Sequence, residues 1–158
     1  MSDSTFSVAR SVVIAAPAPA IHERINDFHR WVDWSPWEGI DPSLQRTYTG
    51  PDAGVGASYA WVGNRKVGQG QMTITESQPN RLGLDLQFLK PFKANNTTVF
   101  AFAPSGNDGN STELTWTMTG PKTFMSKIMG IFMSMDKLVG KDFEKGLASL
   151  KQVCERVS

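Results

Sequence analysis

Residues 121–157 read PKTFMSKIMGIFMSMDKLVGKDFEKGLASLKQVCERV, and the architecture turns on how this stretch folds. Gly120-Pro121 suits a helix start, because proline at a first helical position forfeits no hydrogen bond. Ile128, Phe132, Met135, Val139, Phe143, Leu150, Val153 and Val157 recur at helical spacing. At 100° per residue they form one apolar stripe. Gly146 lies within it, where a missing side chain permits close backbone approach or leaves space. Lys137, Lys141, Lys145, Lys151 and Glu155 fall opposite, toward water. A straight helix of this length would span roughly 55 Å, whereas a chain of this size folds into a domain about 40 Å across. A break is therefore expected between Gly130 and Asp136, with Ser134 as the new N-cap.

Upstream of this helix the apolar period is two. Thr112–Thr119 places Leu114, Trp116 and Met118 on one face and Glu113, Thr115 and Thr117 on the other. The Gly-, Asn- and Asp-rich run 104–111 reads as a hairpin loop to a strand over Asn95–Ala103. Arg81–Leu89 alternates Leu82, Leu84, Leu86 and Phe88 with polar or small residues, and further strands are expected at Val67–Gln78, Ala57–Val62 and Gln45–Thr49. Before them, Ile21, Ile25, Phe28 and Val32 keep helical spacing, giving two short helical pieces between Ala16-Pro17-Ala18-Pro19 and Trp34-Ser35-Pro36-Trp37. Phe6–Ala15 is a β-branched strand. Hairpin connections imply an antiparallel sheet whose apolar face must be buried, and only the C-terminal helix is long and apolar enough to bury it. The fold class is α+β, with seven strands in one domain over residues 1–158.

With 158 residues and a formal charge of +1, the chain offers no electrostatic case for nucleic acid binding. Cys154 is the sole cysteine, which excludes an intrachain disulfide and a cysteine-based zinc site. Met1–Arg10 lacks the apolar run of a signal peptide, and no stretch approaches the ~20 apolar residues of a bilayer span. A cytoplasmic protein without stable membrane insertion, metal or cofactor is the expectation.

The ordered elements resemble the START-like (SRPBCC) superfamily, in particular the small bacterial proteins of polyketide cyclase/dehydrase-like type. The resemblance is carried by Arg10-Ser11, by Ala16-Pro17 and by the run from Asp27 to Trp37. Gly54-Val55-Gly56-Ala57, Trp61 and the run from Gly140 to Lys151 carry the rest. It implies a helix-grip fold: a curved seven-stranded antiparallel sheet wrapped around the C-terminal helix, with two short helices after the first strand. It also implies a cavity between sheet and helix that takes an apolar small molecule.

On this reading the sheet wall of the cavity is Tyr59, Trp61, Met72, Leu84, Leu86, Phe100, Trp116 and Met118. The helix contributes Ile128, Phe132, Met135 and Val139, and Trp37 stands at the entrance. Apolar contact supplies affinity, and one or two polar groups set orientation. The expected ligand is a lipid, polyketide or aromatic compound; the alternatives are a polyketide cyclase or dehydrase and a protein-interaction module. Trp31, Trp34 and Trp37, spaced by three, suit a packing cluster sealing one end of the sheet, with an aromatic rim as the functional alternative. His22 and His29 fall on the solvent side of the short helices. Asp142, at the margin of the apolar stripe, is the candidate acid or base if any reaction occurs, and otherwise a flank residue in water. No metal motif or phosphate-binding loop is present in the sequence.

Overall fold

A computed structural model of the chain describes residues 5–35, 43–63, 68–90, 93–106, 109–121 and 135–157. Strand β1 (Thr5–Ile14) gives way at Pro17 to helix α1 (Ala18–Asn26), with Pro19 in its first turn, where the absent N–H has no role. A 3-10 helix follows at Phe28–Asp33, capped by the Asp27 carboxylate, which accepts from the His29 N–H at 2.9 Å. Then come β2 (Gln45–Thr49), β3 (Ser58–Val62), β4 (Gln69–Gln78), β5 (Arg81–Lys90), β6 (Ala94–Pro104), β7 (Thr112–Pro121) and helix α2 (Met135–Val157). The strands form one antiparallel sheet in the order β1-β7-β6-β5-β4-β3-β2. From β2 to β7, neighbours in sequence are neighbours in space, as hairpins require. β1 pairs with β7 and closes that edge.

Pro121 corrects one expectation. It ends β7, opposite Thr5, instead of opening a helix. Proline tolerates a strand end as well as a first helical turn, because neither position needs its N–H. α2 is described over Met135–Val157; residues 130–134 of the expected break window, including Ser134 as its N-cap, lie outside the described residues.

α2 lies chiefly against β1. Its buried face is Gly140, Phe143, Gly146, Leu147, Leu150 and Cys154. Cys154, one turn after Leu150, is buried, whereas Val153 is only half-buried on the flank. Lys151 and Glu155 are also not simply solvated. The Lys151 ammonium donates to the Val13 carbonyl at 2.9 Å, and the Ala15 N–H donates to the Glu155 carboxylate at 2.8 Å. β1 is a sheet edge, so these side chains occupy backbone groups that would otherwise invite another strand.

Trp31 and Trp34 close one end of the sheet. Both are about 1% exposed. Their indole N–H groups donate to the Ile25 and Arg24 carbonyls at 2.8 and 3.2 Å. Those carbonyls belong to the last turn of α1 and have no partner within the helix. The rings meet Phe28, Phe100 and Trp116, so this pair is core.

Candidate functional site

The register puts the sequence-derived sheet wall on one face. Tyr59 stands opposite Met72, Met72 opposite Leu86, and Phe100 opposite Trp116. Packing then divides that face into two ends. At one, Trp116 stacks on Phe143 of α2 with centroids 4.1 Å apart and planes 7° apart, and Trp34 meets it edge-on at 5.7 Å. Sheet and helix touch there, and Phe100 and Trp116 are 0% and 2% exposed. At the other end Tyr59, Met72 and Leu86 retain 7%, 8% and 8% exposure, and Trp61 and Phe88 are half-buried beside them, while Leu84, Thr98 and Met118 form the row between the two ends. Tyr59, Trp61, Met72, Leu86 and Phe88 adjoin as an apolar patch on β3, β4 and β5, with Phe28 of the 3-10 helix packed on Tyr59 at 5.8 Å, and Asn96 and Thr98 of β6 stand between them and Met118 of β7.

Trp61 is aimed into this patch by a glycine. A Cβ on Gly70, its partner across the β3–β4 ladder, would lie 2.6 and 2.7 Å from the Trp61 ring carbons Cη2 and Cζ2. The indole therefore lies across bare backbone, with Phe88 edge-on at 6.2 Å. Among the remaining predicted residues, Trp37, Ile128 and Phe132 lie outside the described residues. Met135 and Val139 belong to the first turns of α2, and only their place in the helix is described.

Polar groups on the inner face escaped the sequence reading. Asn96 and Thr98 of β6 are 1% and 5% exposed, four and two residues before Phe100 and on its face. Asn96 is opposite Leu86, and Thr98 is opposite Leu84 and Met118. Their phase with Phe100 was the available signal. Arg10 is likewise inward, opposite Trp116 and in phase with Val8, Val12 and Ile14. Its Nε donates to the Glu144 carboxylate of α2 at 2.9 Å, and its guanidinium lies against Gly140.

His22 corrects a second expectation, because it faces the sheet and not solvent. An extra residue, Thr75, shifts the β4–β5 register and turns Ser77 inward, opposite Leu82. The Ser77 hydroxyl donates to the Asn26 Oδ1 at 2.7 Å and lies 3.4 Å from His22 Nε2, while Phe102 packs on the imidazole. Burial lowers the pKa of His22; a hydrogen bond with the Gln78 backbone opposes the shift. This cluster ties α1 to β4. His29 is exposed, paired with Asp27 at 2.8 Å and stacked on Tyr48. Burial pushes the Cys154 thiol up to about 11, which keeps it protonated near neutrality. Asp142 is half-buried and engaged by a neighbour, and it precedes Phe143 in α2.

A shallow open notch of ≈ 110 Å³ lies between the 3-10 helix and the β2–β3 turn, with His29, Tyr48, Asp52 and Ser58 in its lining. It is too small and too polar to hold an apolar molecule. Among the described residues no group of acidic, histidine and cysteine side chains is placed to hold a metal ion. Among them, too, no helix is long and apolar enough to cross a membrane.

A family model described as "Polyketide cyclase / dehydrase and lipid transport" matches residues 5–155. The chain belongs to this family. No curated protein sequence matches the chain. Similar solved structures include a Thermobifida fusca protein, 22% identical over 96% of this chain and 95% of that one, with a TM-score of 0.67. A START superfamily protein from Mycobacterium smegmatis is 17% identical over 96% and 99%, with a TM-score of 0.63. Norcoclaurine synthase from Thalictrum flavum, solved with dopamine and hydroxybenzaldehyde, is 12% identical over 94% and 86%, with a TM-score of 0.64. At these identities the likeness is one of fold: the helix-grip arrangement expected from the sequence, with an open seven-stranded sheet, a C-terminal helix and short helices after the first strand. For this polyketide cyclase/dehydrase and lipid-transport family member, that establishes the scaffold; the role of each residue has to come from the site itself.

Proposed function

We propose that the protein binds a small hydrophobic molecule, a lipid, polyketide or aromatic compound, on the inner face of the sheet beside α2. It acts as a carrier or receptor and not as a cyclase. One observation carries this reading: Tyr59, Trp61, Met72, Leu86 and Phe88 make an apolar patch that keeps residual exposure, with Asn96 and Thr98 set between it and Met118, while the same face is closed at its other end by the Trp116–Phe143 stack. An apolar surface of this kind, with a few polar groups set into it, is the usual composition of a small-molecule site. The family description includes lipid transport, and norcoclaurine synthase holds two aromatic compounds on the same fold. Against catalysis, the described inward groups offer no acid–base pair: Arg10 is joined to Glu144, and His22 belongs to the α1–β4 contact. The same reading places the protein in the cytoplasm with no nucleic-acid partner.

Organic extraction of the purified protein followed by mass spectrometry tests this directly, together with titration of an apolar fluorescent probe that quenches tryptophan emission. A stoichiometric apolar compound, or saturable probe binding weakened by Met118→Lys, is the expected result. An empty extract with no saturable probe binding would overturn the proposal, and conversion of the extracted compound by the purified protein would replace it with the enzyme reading.

A further inference from the structure

We infer that Asn96 is the polar anchor of this site and receives the hydroxyl of a neutral, otherwise apolar ligand such as a phenol or an alcohol. The inference rests on the binding reading above and adds the chemical class. Asn96 is 1% exposed and stands on the inner face opposite Leu86, beside the β3–β5 apolar patch. Its Nδ2 lies 3.7 Å from the Met118 Sδ. A thioether sulfur can only accept, so the amide nitrogen belongs on that side and Oδ1 points the other way. That Oδ1 is buried and has no hydrogen-bond partner among the described residues. A buried carbonyl oxygen left unpaired is costly, and leucine of similar size would fill the position without that cost. The group that completes it must donate, which selects an O–H or N–H over an ether, ester or ketone oxygen. The named neighbours, Leu86 and Met118, are uncharged, which selects a neutral donor over an ammonium or a carboxylate.

The test uses a matched pair of aromatic probes, 2-naphthol and 2-methoxynaphthalene, which differ in the donor and share the ring system. Both are titrated into the wild-type protein and Asn96→Leu, and the quantity read is the ratio of their dissociation constants. Comparing this ratio between the two proteins cancels the difference in the probes' hydration. The ratio should shift about three- to tenfold against naphthol in Asn96→Leu, the range expected for one neutral hydrogen bond. In the wild type, naphthol should move the Asn96 side-chain amide signals in a nitrogen–proton correlation spectrum more than the ether does. That measurement stands even if the leucine variant fails to fold. Binding of both probes with an unchanged ratio, or with equal amide shifts, overturns the anchor and leaves the binding site standing. Failure of the wild type to bind either probe overturns both.

Discussion

Replacing Gly70 with alanine tests whether the indole of Trp61 is held across bare backbone in the site. The added Cβ would lie 2.6 and 2.7 Å from two ring carbons and 2.5 Å from the Gln87 carbonyl oxygen. Carbon atoms rest comfortably at about 3.5–4.0 Å, so the ring must retreat by roughly 1 Å. The Gln87 oxygen is backbone of β5, paired to β4 on this stretch, and cannot follow without disturbing the ladder. Overpacking of this kind costs about 1–3 kcal/mol. Alanine recovers about 0.5–1 kcal/mol of the entropy that glycine loses in a strand. The net expectation is a loss of about 1–2 kcal/mol, or a melting temperature lower by about 2–8 °C for a chain of this size. Urea titration followed by far-UV circular dichroism measures the loss, and a probe titration on the same samples measures the site. Probe affinity should fall in parallel, because the displaced ring changes the patch shape. In a Trp61→Leu background the penalty of Gly70→Ala should shrink to the part caused by the Gln87 carbonyl. A Gly70→Ala protein as stable as the wild type, with unchanged emission and probe affinity, would refute this placement of Trp61.

Two further outcomes follow from contacts that fix the helices to the sheet. A Cβ on Gly140 would lie 2.6 Å from the Arg10 Cζ, so Gly140→Ala should dislodge the guanidinium from Glu144 and be neutral or destabilising. In an Arg10→Ala background the same change should stabilise by up to about 1 kcal/mol through helix propensity alone. The same sign in both backgrounds, read from denaturation midpoints, would contradict the contact. For His22, burial makes the folded state a poorer proton acceptor than the unfolded chain, whose histidine titrates near about 6.5. The unfolded state therefore binds more protons just below that pH. Stability should fall as the pH drops through about 6.5 and level off below the folded pKa. His22→Gln should flatten that slope in urea titrations at several pH values, and an unchanged slope would remove His22 as its source.

The strands were legible because each carries period-two alternation bounded by turn residues, and β5 is the clearest case. Pro121 was misassigned because the same missing N–H suits a helix start and a strand end, and local sequence does not separate them. Ser77 and His22 were obscured by the extra residue at Thr75, which inverts the phase of the rest of β4. Arg10 and Gly140 each have an ordinary local interpretation, and their fit is set by two elements 130 positions apart in the chain. Asn96 and Thr98 had a signal that went unused, since their phase with Phe100 already placed them inward. Selecting wall residues by apolarity alone passed over the groups that distinguish one apolar ligand from another.

The binding reading proposed above turns on the place of the candidate carboxylate, Asp142. A general acid or base must reach the reacting atom directly or through a single water. Asp142 is adjacent to Phe143, and Phe143 is stacked on Trp116, so the helix is in van der Waals contact with the sheet at that level. Tyr59, Met72 and Leu86, at the other end, are 7%, 8% and 8% exposed. Between the two ends the inner row is Leu84, Thr98 and Met118, which are 1%, 5% and 4% exposed. On the proposed reading, a ligand at the patch meets the Asn96 amide oxygen, which has no proton to give and no useful basicity. Such a group orients a ligand by accepting one hydrogen bond, and it contributes nothing to a proton transfer.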